Sequence, residues 1–347
     1  MVLDATAVAQ VSQRFDPSVY LSLAFLFGIA AQFRCMGGNA TLRRMIASLE
    51  DRVGILYAVV VVAAGFSPLI LNDVVVLILT PVLAAYCKEL KVGVAPLLVA
   101  EVAFVNIASS LTPFGNPQNI LLWQTTGISA GAFVLGTSLP LAVAAVVTAL
   151  VLYPMAGRLR RRAVAPASAP TRPAAYLVSV AAVVFASDLL RVADVVALGL
   201  AFALGFCFTL RSLPALPQEF DLRSLLVLWA FVATVTVASV VVEPVMGAYA
   251  AEAASGVQPF SALFVGGVSC LISNVPATQL VLSLAHVPAA VAPKIAVEAG
   301  LAGNIDPVAS FANILALLLV RRAGLPVRRA IALQFGVGLV SFLPALL

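Results

Sequence analysis

Uncharged polar side chains interrupt the apolar sequence at four places, and these residues could bind a small solute. The places are 72–73 (ND), 106–119 (NIASSLTPFGNPQN), 273–278 (SNVPAT) and 303–313 (GNIDPVASFAN). Asn, Ser and Thr side chains donate and accept hydrogen bonds, and a carboxylate supplies oxygen ligands. No Lys or Arg lies within the four segments. An anion bound there would depend on uncharged donors, helix N-termini and a co-bound cation, and the alternative is an uncharged oxyacid.

Asp73 and Asp306 are the predicted coupling groups. A carboxylate inside a long apolar stretch is costly and normally faces a polar pathway, where it could exchange a proton for a metal ion. The alternative for each is a carboxylate that caps a helix by accepting hydrogen bonds from nearby N–H groups. Glu101, inside the apolar stretch that follows Val94, is the next candidate for a proton path.

The composition places these residues within a membrane. Of the 347 residues, 62% are hydrophobic and only 10% are charged, and the mean hydropathy is +1.10. A soluble domain has about 25% charged residues, so this chain has too little polar surface for a water-soluble globule. Apolar runs such as 131–154 are long enough to cross ~30 Å of hydrocarbon as helices. The sequence therefore predicts an all-α polytopic membrane protein and excludes a soluble enzyme, a disordered chain and a secreted disulfide scaffold.

Basic residues predict which loops face the cytoplasm. Such residues normally stay on the cytoplasmic side of a membrane. They concentrate in four loops, 34–52, 155–174, 211–223 and 321–329. The run 74–87 is short for a crossing, so we predict a re-entrant hairpin over 53–87 with Asn72 at its tip. The segment 259–285 is predicted to form a second hairpin, with Asn274 at its tip, that enters from the opposite face.

The two halves of the chain share a pattern. LILN at 69–72 is matched by LISN at 271–274, and a short apolar run follows each. The segment 112–119 (TPFGNPQN) is matched by 306–313 (DPVASFAN), with Pro second and Asn eighth in both. Unpaired backbone inside hydrocarbon survives only where it lines a polar cavity. The pattern therefore predicts inverted-topology repeats, each with a re-entrant hairpin and a broken transmembrane helix, around a site near the bilayer midplane.

The predicted division of the chain follows from this pattern. Residues 1–154 form the first inverted repeat, 155–174 a cytoplasmic linker, and 175–347 the second inverted repeat.

These motifs resemble the ion transporter superfamily, which includes arsenite permeases, citrate and dicarboxylate transporters and related sodium/proton antiporters. The segment 72–81 is similar to the arsenite-permease hairpin motif, and 112–119 is similar to the superfamily's T-P-I-G-(N/D)-P-x-N signature. Segments 273–278 and 306–313 resemble the second-repeat counterparts, although Asp306 stands where Thr is usual. The resemblance covers roughly residues 18–347. It implies two scaffold helices before the span at 18–33, like those at 174–210 in the second half, so the first repeat is expected to be short of two N-terminal scaffold helices.

The motifs and the resemblance together define the predicted binding residues. A sodium ion is predicted at the hairpin tips, and no cofactor is expected besides the coupling ion, sodium or proton. The predicted substrate- and ion-binding residues are Asn72, Asp73, Ser109, Ser110, Thr112, Gly115, Asn116, Asn119, Ser273, Asn274, Thr278, Gly303, Asn304, Asp306, Ser310 and Asn313.

A secondary active transporter is the function that this pattern predicts. Its substrate would be a small anion or oxyacid (arsenite, inorganic anion or carboxylate type), moved by alternating access with protons or sodium. A sodium/proton antiporter, with paired acidic residues as working groups, is the alternative. An integral-membrane enzyme is not expected, because the sequence has one His, no Gly-rich phosphate loop and no His/Cys cluster.

The expected partners are the transported solute and the lipid bilayer, and a homodimer is left open. Nucleic acid is not expected, because the basic residues lie in short loops between apolar runs. The predicted location is a plasma membrane, as a multi-pass protein of the bacterial inner membrane.

Overall fold

The computed structural model describes residues 17–113, 115–156, 171–190 and 192–346. These residues form helices joined by short connections, and no strand occurs among them, which confirms the predicted all-helical class. The α-helices are α1 Pro17–Cys35, α2 Gly38–Phe66, α3 Asn72–Leu90, α4 Val94–Ser109, α5 Pro117–Thr126, α6 Ala130–Ala156, α7 Arg172–Leu189, α8 Asp194–Thr209, α9 Leu216–Glu219, α10 Leu222–Ala254, α11 Phe260–Ile272, α12 Asn274–Leu284, α13 Ala292–Ala302, α14 Phe311–Arg322 and α15 Arg328–Phe342.

Among the described residues, two helical segments are long and apolar enough to cross a membrane. They are Ala130–Ala156, which is α6, and Arg328–Leu346, which is α15 with the 3-10 turn after it. Large apolar side chains on α6 are exposed, including Leu135, Leu139 and Leu150. A helix that is apolar on its exposed side is typical of contact with lipid. Shorter apolar stretches lie in α1, α4, α7, α8 and α11.

The polar segment 34–52, predicted as a loop, is largely helical. Residues from Gly38 onward form the first part of α2. Leu42 and Ile46, one turn apart, are buried, so this polar stretch has the apolar face of an amphipathic helix. The helix bends at Gly54, where φ is +78°, a conformation that favours glycine.

The sequence predicts that the apolar run 224–242 ends at Glu243 and that 244–258 is a loop on the side of the membrane opposite the linker 155–174. Helix α10 instead continues to Ala254. The segment 245–254 (VMGAYAAEAA) is rich in Ala, the strongest helix former, which accounts for the continuation. Most of the predicted linker, 157–170, lies outside the described residues.

Arg34 at the end of α1 donates a hydrogen bond to α3 next to Pro81. Pro81 lies inside α3 and has no N–H for the carbonyl of Leu77, four residues earlier. Arg34 Nη1 donates to that carbonyl at 3.1 Å. Arg34 Nε donates to Glu219 Oε2, also at 3.1 Å. The guanidinium therefore replaces the missing helical bond and ties α1 to α3 and α9.

Contacts between helices position the polar segments. Helix α3 packs against α14, and α5 packs against α12. Helix α4 packs against α15, and α13 packs against α6, α5 and α4. The helix that follows each polar break therefore lies against a helix from the other half of the chain.

Candidate functional site

The two polar breaks have the same local form. Helix α4 ends at Ser109 and α5 begins after Asn116, which has extended φ and ψ of −151° and 137°. Helix α13 ends at Ala302 and α14 begins after Ser310, whose φ and ψ are −145° and 138°. Each break therefore leaves a helix N-terminus and an irregular backbone segment inside the protein.

One Asn side chain holds each break together. Asn119 Nδ2 donates to the carbonyl oxygens of Ser109 at 3.2 Å and Thr112 at 2.8 Å. At the same spacing, Asn313 Nδ2 donates to the carbonyls of Gly303 and Asp306. These amides satisfy backbone acceptors that the end of a helix leaves without a partner.

Both predicted hairpin tips contact a break. The backbone N–H of Asn72 donates to the carbonyl of Gly115 at 2.9 Å. The backbone N–H of Asn274 donates to the carbonyl of Ala309 at 3.0 Å. Each Asn Oδ1 also accepts from the next residue's N–H, at 2.9 Å in both cases. The backbones of Asn72 and Asn274 therefore lie against the breaks.

Three further predicted residues have local structural contacts in the first break. Ser109 Oγ and Ser110 Oγ both donate to the carbonyl of Asn106, at 3.2 and 2.8 Å. Thr112 Oγ1 donates to the carbonyl of Pro68 at 2.8 Å, which joins the break to the turn before α3. A Cβ at Gly115 would collide with the carbonyl oxygen of Ser109, so the break requires glycine there.

Asn106 is a buried residue next to both breaks that the sequence analysis did not select as a binding residue. Its Nδ2 donates to Asn304 Oδ1 at 3.1 Å and to Asn313 Oδ1 at 3.0 Å. Its Oδ1 accepts from Ser310 Oγ at 3.1 Å. Asn304 Nδ2 in turn donates to Ser341 Oγ on α15 at 3.2 Å. The Asn106 side chain of α4 thus makes hydrogen bonds with three predicted residues of the second break.

Nearly all the predicted residues are buried. Thr112 is half-buried, and the others are buried, including Ser273 and Thr278 on either side of the α12 N-terminus. A buried polar atom without a partner is costly. Five buried atoms of the predicted residues have no hydrogen-bond partner within the part of the chain that the structure describes: Asp73 Oδ1, Asn116 Nδ2, Asn119 Oδ1, Asn274 Nδ2 and Thr278 Oγ1.

The carboxylates have different surroundings. Asp306 Oδ1 accepts from the backbone N–H groups of Val308 at 2.7 Å and Ala309 at 3.0 Å, which is a capping contact. Asp73 Oδ1 is buried and has no hydrogen-bond partner within the described ranges. The two aspartates predicted as coupling groups are therefore held differently.

Two buried glutamates accept hydrogen bonds from residues of the predicted hairpin regions. Glu101 accepts from Thr80 Oγ1 at 2.8 Å. Glu298 on α13, which the sequence analysis did not select, accepts from Ser261 Oγ at 2.8 Å and from Gln258 Nε2. Both glutamates are almost completely buried. The criterion applied to Glu101, a carboxylate within an apolar stretch, would also have found Glu298.

Comparison with known proteins identifies the family. The chain matches the profile of the citrate transporter family over residues 1–316. It is 34% identical over 110 residues to "Inner membrane protein YbiR" of Escherichia coli, a match that covers 32% of this chain and 29% of the relative. It is 38% identical over 78 residues to "Silicon efflux transporter LSI3" of Oryza sativa subsp. japonica, covering 22% of this chain and 16% of the relative.

A third relative is "Putative transporter arsB" of Dictyostelium discoideum, 34% identical over 71 residues, or 20% of this chain and 13% of the relative. Each match spans less than a third of the relative's length. The profile match and the relatives' names support a membrane protein and confirm the resemblance to the ion transporter superfamily. Since the profile covers most of the sequence, the chain belongs to the citrate transporter family.

Proposed function

We propose that this protein is a secondary active transporter of a small anion or oxyacid, coupled to protons or sodium by alternating access. The observation that carries the proposal is the meeting of two helix breaks around Asn106, whose amide bonds to Asn304, Asn313 and Ser310. Broken helices supply free N–H groups and carbonyls where an unbroken helix would offer none. A small polar solute could exchange hydrogen bonds with such groups inside the membrane.

The two halves act in this proposal as inverted repeats with re-entrant hairpins. Support comes from matched contacts, in which Asn72 and Asn274 donate to the breaks at Gly115 and Ala309. The packing of α3 on α14 and of α5 on α12 is a further match. Movement of the α3–α14 pair relative to the α5–α12 pair would open the two breaks to alternate sides of the membrane.

Asp73 is the proposed coupling group, with sodium at the tips formed by Asn72 and Asn274. A carboxylate oxygen without a partner is available to bind a proton or a cation, and Asp73 Oδ1 is such an atom among the described residues. Asp306 was predicted for the same role, but its oxygen already accepts two backbone N–H groups. Its contacts favour a structural role at the second break.

The family and the name of one relative support the proposed substrate class. The matched profile is described as a citrate transporter, and one relative is named for silicon efflux. Citrate is a small oxygen-rich anion. The relative named as an inner membrane protein of Escherichia coli supports the bacterial inner membrane as the location.

A sodium/proton antiporter is the second candidate. It is favoured by the buried carboxylates of Glu101 and Glu298, each of which accepts hydrogen bonds from a neighbouring helix or turn. An antiporter would exchange sodium for protons without an organic or oxyacid solute. Transport by purified protein can therefore separate the two candidates.

The experiment is uptake into proteoliposomes under an imposed pH or sodium gradient. Arsenous acid, orthosilicic acid, citrate and phosphate would be tested one at a time, with protein-free liposomes as the control. We expect gradient-driven accumulation of at least one solute. Sodium/proton exchange without any solute would support the antiporter, and the absence of both activities would contradict the transport proposal.

A further inference from the structure

The two breaks differ at one pair of matched positions. Asn106 precedes Ser109 by three residues, and Gly300 precedes Gly303 by the same interval. In the second break, Asn313 Oδ1 accepts from Asn106. The residue that would serve the first break in the same way is Gly300, which has no side chain. Asn119 Oδ1 accordingly has no hydrogen-bond partner among the residues that the structure describes.

The missing side chain leaves polar atoms around Gly300 without partners. A Cβ at Gly300 would collide with Ser110 Oγ and would lie 3.6 Å from Gln118 Nε2. Gln118 is fully buried, and neither its Nε2 nor its Oε1 has a partner within the described part of the chain. Gln118 lies beside Asn119 and was not among the predicted binding residues.

Atoms of α12 without partners lie on the side of that helix that packs against α5. Helices α5, α12 and α13 meet in an apolar cluster that contains Leu122, Val281 and Ala299. Residues three or four apart share a helix face. Gln118 therefore lies one turn before Leu122 on the shared face, and Thr278 one turn before Val281. Asn274 is one turn before Thr278, so these polar atoms lie at the ends of α5 and α12 that are next to the breaks.

A pocket lies at the other ends of α5 and α12. It has a volume of about 380 Å³ and is lined by Thr125 and by residues 282–287, including His286. Along α5, Leu122 lies between this pocket and Gln118, and along α12, Val281 lies between it and Thr278. The apolar cluster therefore separates the pocket from the polar atoms, as a gate between a vestibule and a binding site would.

We propose that the solute binds on the α5–α12 side of the two breaks, with Gln118, near Gly300, as a specificity-determining residue. The second break, closed by Asn106, then has a structural role. This inference rests on the proposed transport function and specifies which break holds the solute.

The atoms without partners indicate the chemical class of the solute. They include acceptors (Asn119 Oδ1 and Gln118 Oε1) and donors (Gln118 Nε2 and Asn274 Nδ2), all on uncharged side chains. A hydroxyl group both donates and accepts, whereas an ionised carboxylate only accepts and would leave the protein acceptors unpaired. The site therefore favours a small uncharged solute that carries several hydroxyl groups.

The test measures binding by thermal shift and by calorimetry in detergent. Gln118→Met preserves the shape of the side chain and removes its polar atoms. The matched control is Gln334→Met on α15, since Gln334 is also a buried glutamine whose Nε2 has no partner within the described ranges. Probes are orthosilicic acid and arsenous acid, which are uncharged at neutral pH, and citrate and sodium chloride for comparison.

We expect an uncharged probe to stabilise the wild-type protein and the Gln334→Met variant. Its dissociation constant should rise at least about tenfold in Gln118→Met, the equivalent of about 1.4 kcal/mol. Thr278→Val removes a hydroxyl that has no partner among the described residues, and it should also weaken binding. This second variant keeps the inference testable if Gln118→Met does not fold. Unchanged affinity in both variants would overturn the inference. So would a result in which neither uncharged probe stabilises the wild-type protein, whether or not citrate or sodium does.

Transport separates this inference from the proposed function. If wild-type protein accumulates a solute under a gradient and Gln118→Met accumulates it with unchanged KM, the site assignment fails while the transport function stands. If wild-type protein accumulates no probe and exchanges no ions, the transport function itself fails.

Discussion

Asn106 Nδ2 donates to Asn313 Oδ1 at 3.0 Å, which joins an amide of α4 to an amide of α14 inside the protein. Asn313 uses its own Nδ2 to bind the carbonyl of Asp306 at 3.1 Å. The side chain that holds the second break is thus itself held by the first half of the chain. A change at Asn106 should therefore affect both halves.

Asn106→Ala should destabilise the folded protein. The substitution leaves Asn304, Asn313 and Ser310 each short of a hydrogen-bond partner, and a buried polar group left unpaired costs about 1–3 kcal/mol. We expect the free energy of unfolding to fall by at least about 2 kcal/mol, measured by denaturant unfolding in detergent. Asn39→Ala on α2 is the control, because Asn39 Oδ1 has no partner among the described residues. Equal stability of the two variants would show that the amide network contributes little.

The sequence predicts the helical class and the four polar interruptions, because apolar length and the polar residues within it are local patterns. It does not predict that Asn106 reaches Asn304 and Asn313, because these residues are far apart in the chain and spacing carries no such information. One local signal existed: Asn106 is an isolated polar residue in the apolar run 102–107 (VAFVNI). Likewise, only the folded structure shows that Gln118 lies near Gly300 and that its amide atoms have no partner among the described residues.

Asp73→Asn and Asp306→Asn make the same chemical change in different surroundings. Asn at 306 retains an Oδ1 that can accept from Val308 and Ala309, so this variant should keep most of its gradient-driven transport. Asp73→Asn should fold and catalyse counterflow but lose gradient-driven accumulation, because the ionisable group is gone. Uptake into proteoliposomes at several pH values and sodium concentrations measures both. If Asp73→Asn keeps wild-type pH and sodium dependence, Asp73 is not the coupling group and Glu101 becomes the next candidate.

Asn72→Ala and Asn274→Ala should weaken transport while leaving the folded yield close to normal. Each removes an amide beside a helix N-terminus that faces a break, and a hydrogen bond to a charged group is worth about 1.5–3 kcal/mol, or roughly tenfold to a hundredfold in affinity. We expect the apparent affinity for sodium or solute to fall by that factor. Ser138→Ala on α6 is the control, since Ser138 Oγ donates to the carbonyl of Leu135 in the preceding turn. Transport at wild-type level in both Asn variants would mean that the tips are structural only.

The predicted topology places the linker 155–174 and the end of α10 on opposite sides of the membrane. Single cysteines at Ala167 and at Ser255, an exposed residue after α10, should react with an impermeant maleimide from opposite sides of right-side-out and inverted vesicles. The background replaces the native thiols, Cys35, Cys87, Cys207 and Cys270. Reaction of both positions from the same side would contradict the inverted-repeat topology.

The bond from Arg34 to the Leu77 carbonyl should matter only while residue 81 is proline. Arg34→Met keeps the apolar stem and leaves that carbonyl unpaired, so we expect a loss of about 2 kcal/mol in the free energy of unfolding. Pro81→Ala supplies an N–H that can make the helical bond to Leu77, and in this background Arg34→Met should cost about 1 kcal/mol less.

The partner of Arg34 on α9 allows the ion pair to be measured separately. Glu219 is 42% exposed, and an exposed pair contributes only about 0.2–1 kcal/mol, so Glu219→Gln should have a small effect in either background. Denaturant unfolding of the wild type, both single variants and the double variant completes the cycle. An Arg34→Met cost that stays the same with Ala at position 81 would show that Arg34 stabilises the protein through packing or Glu219 rather than through the carbonyl that Pro81 leaves free.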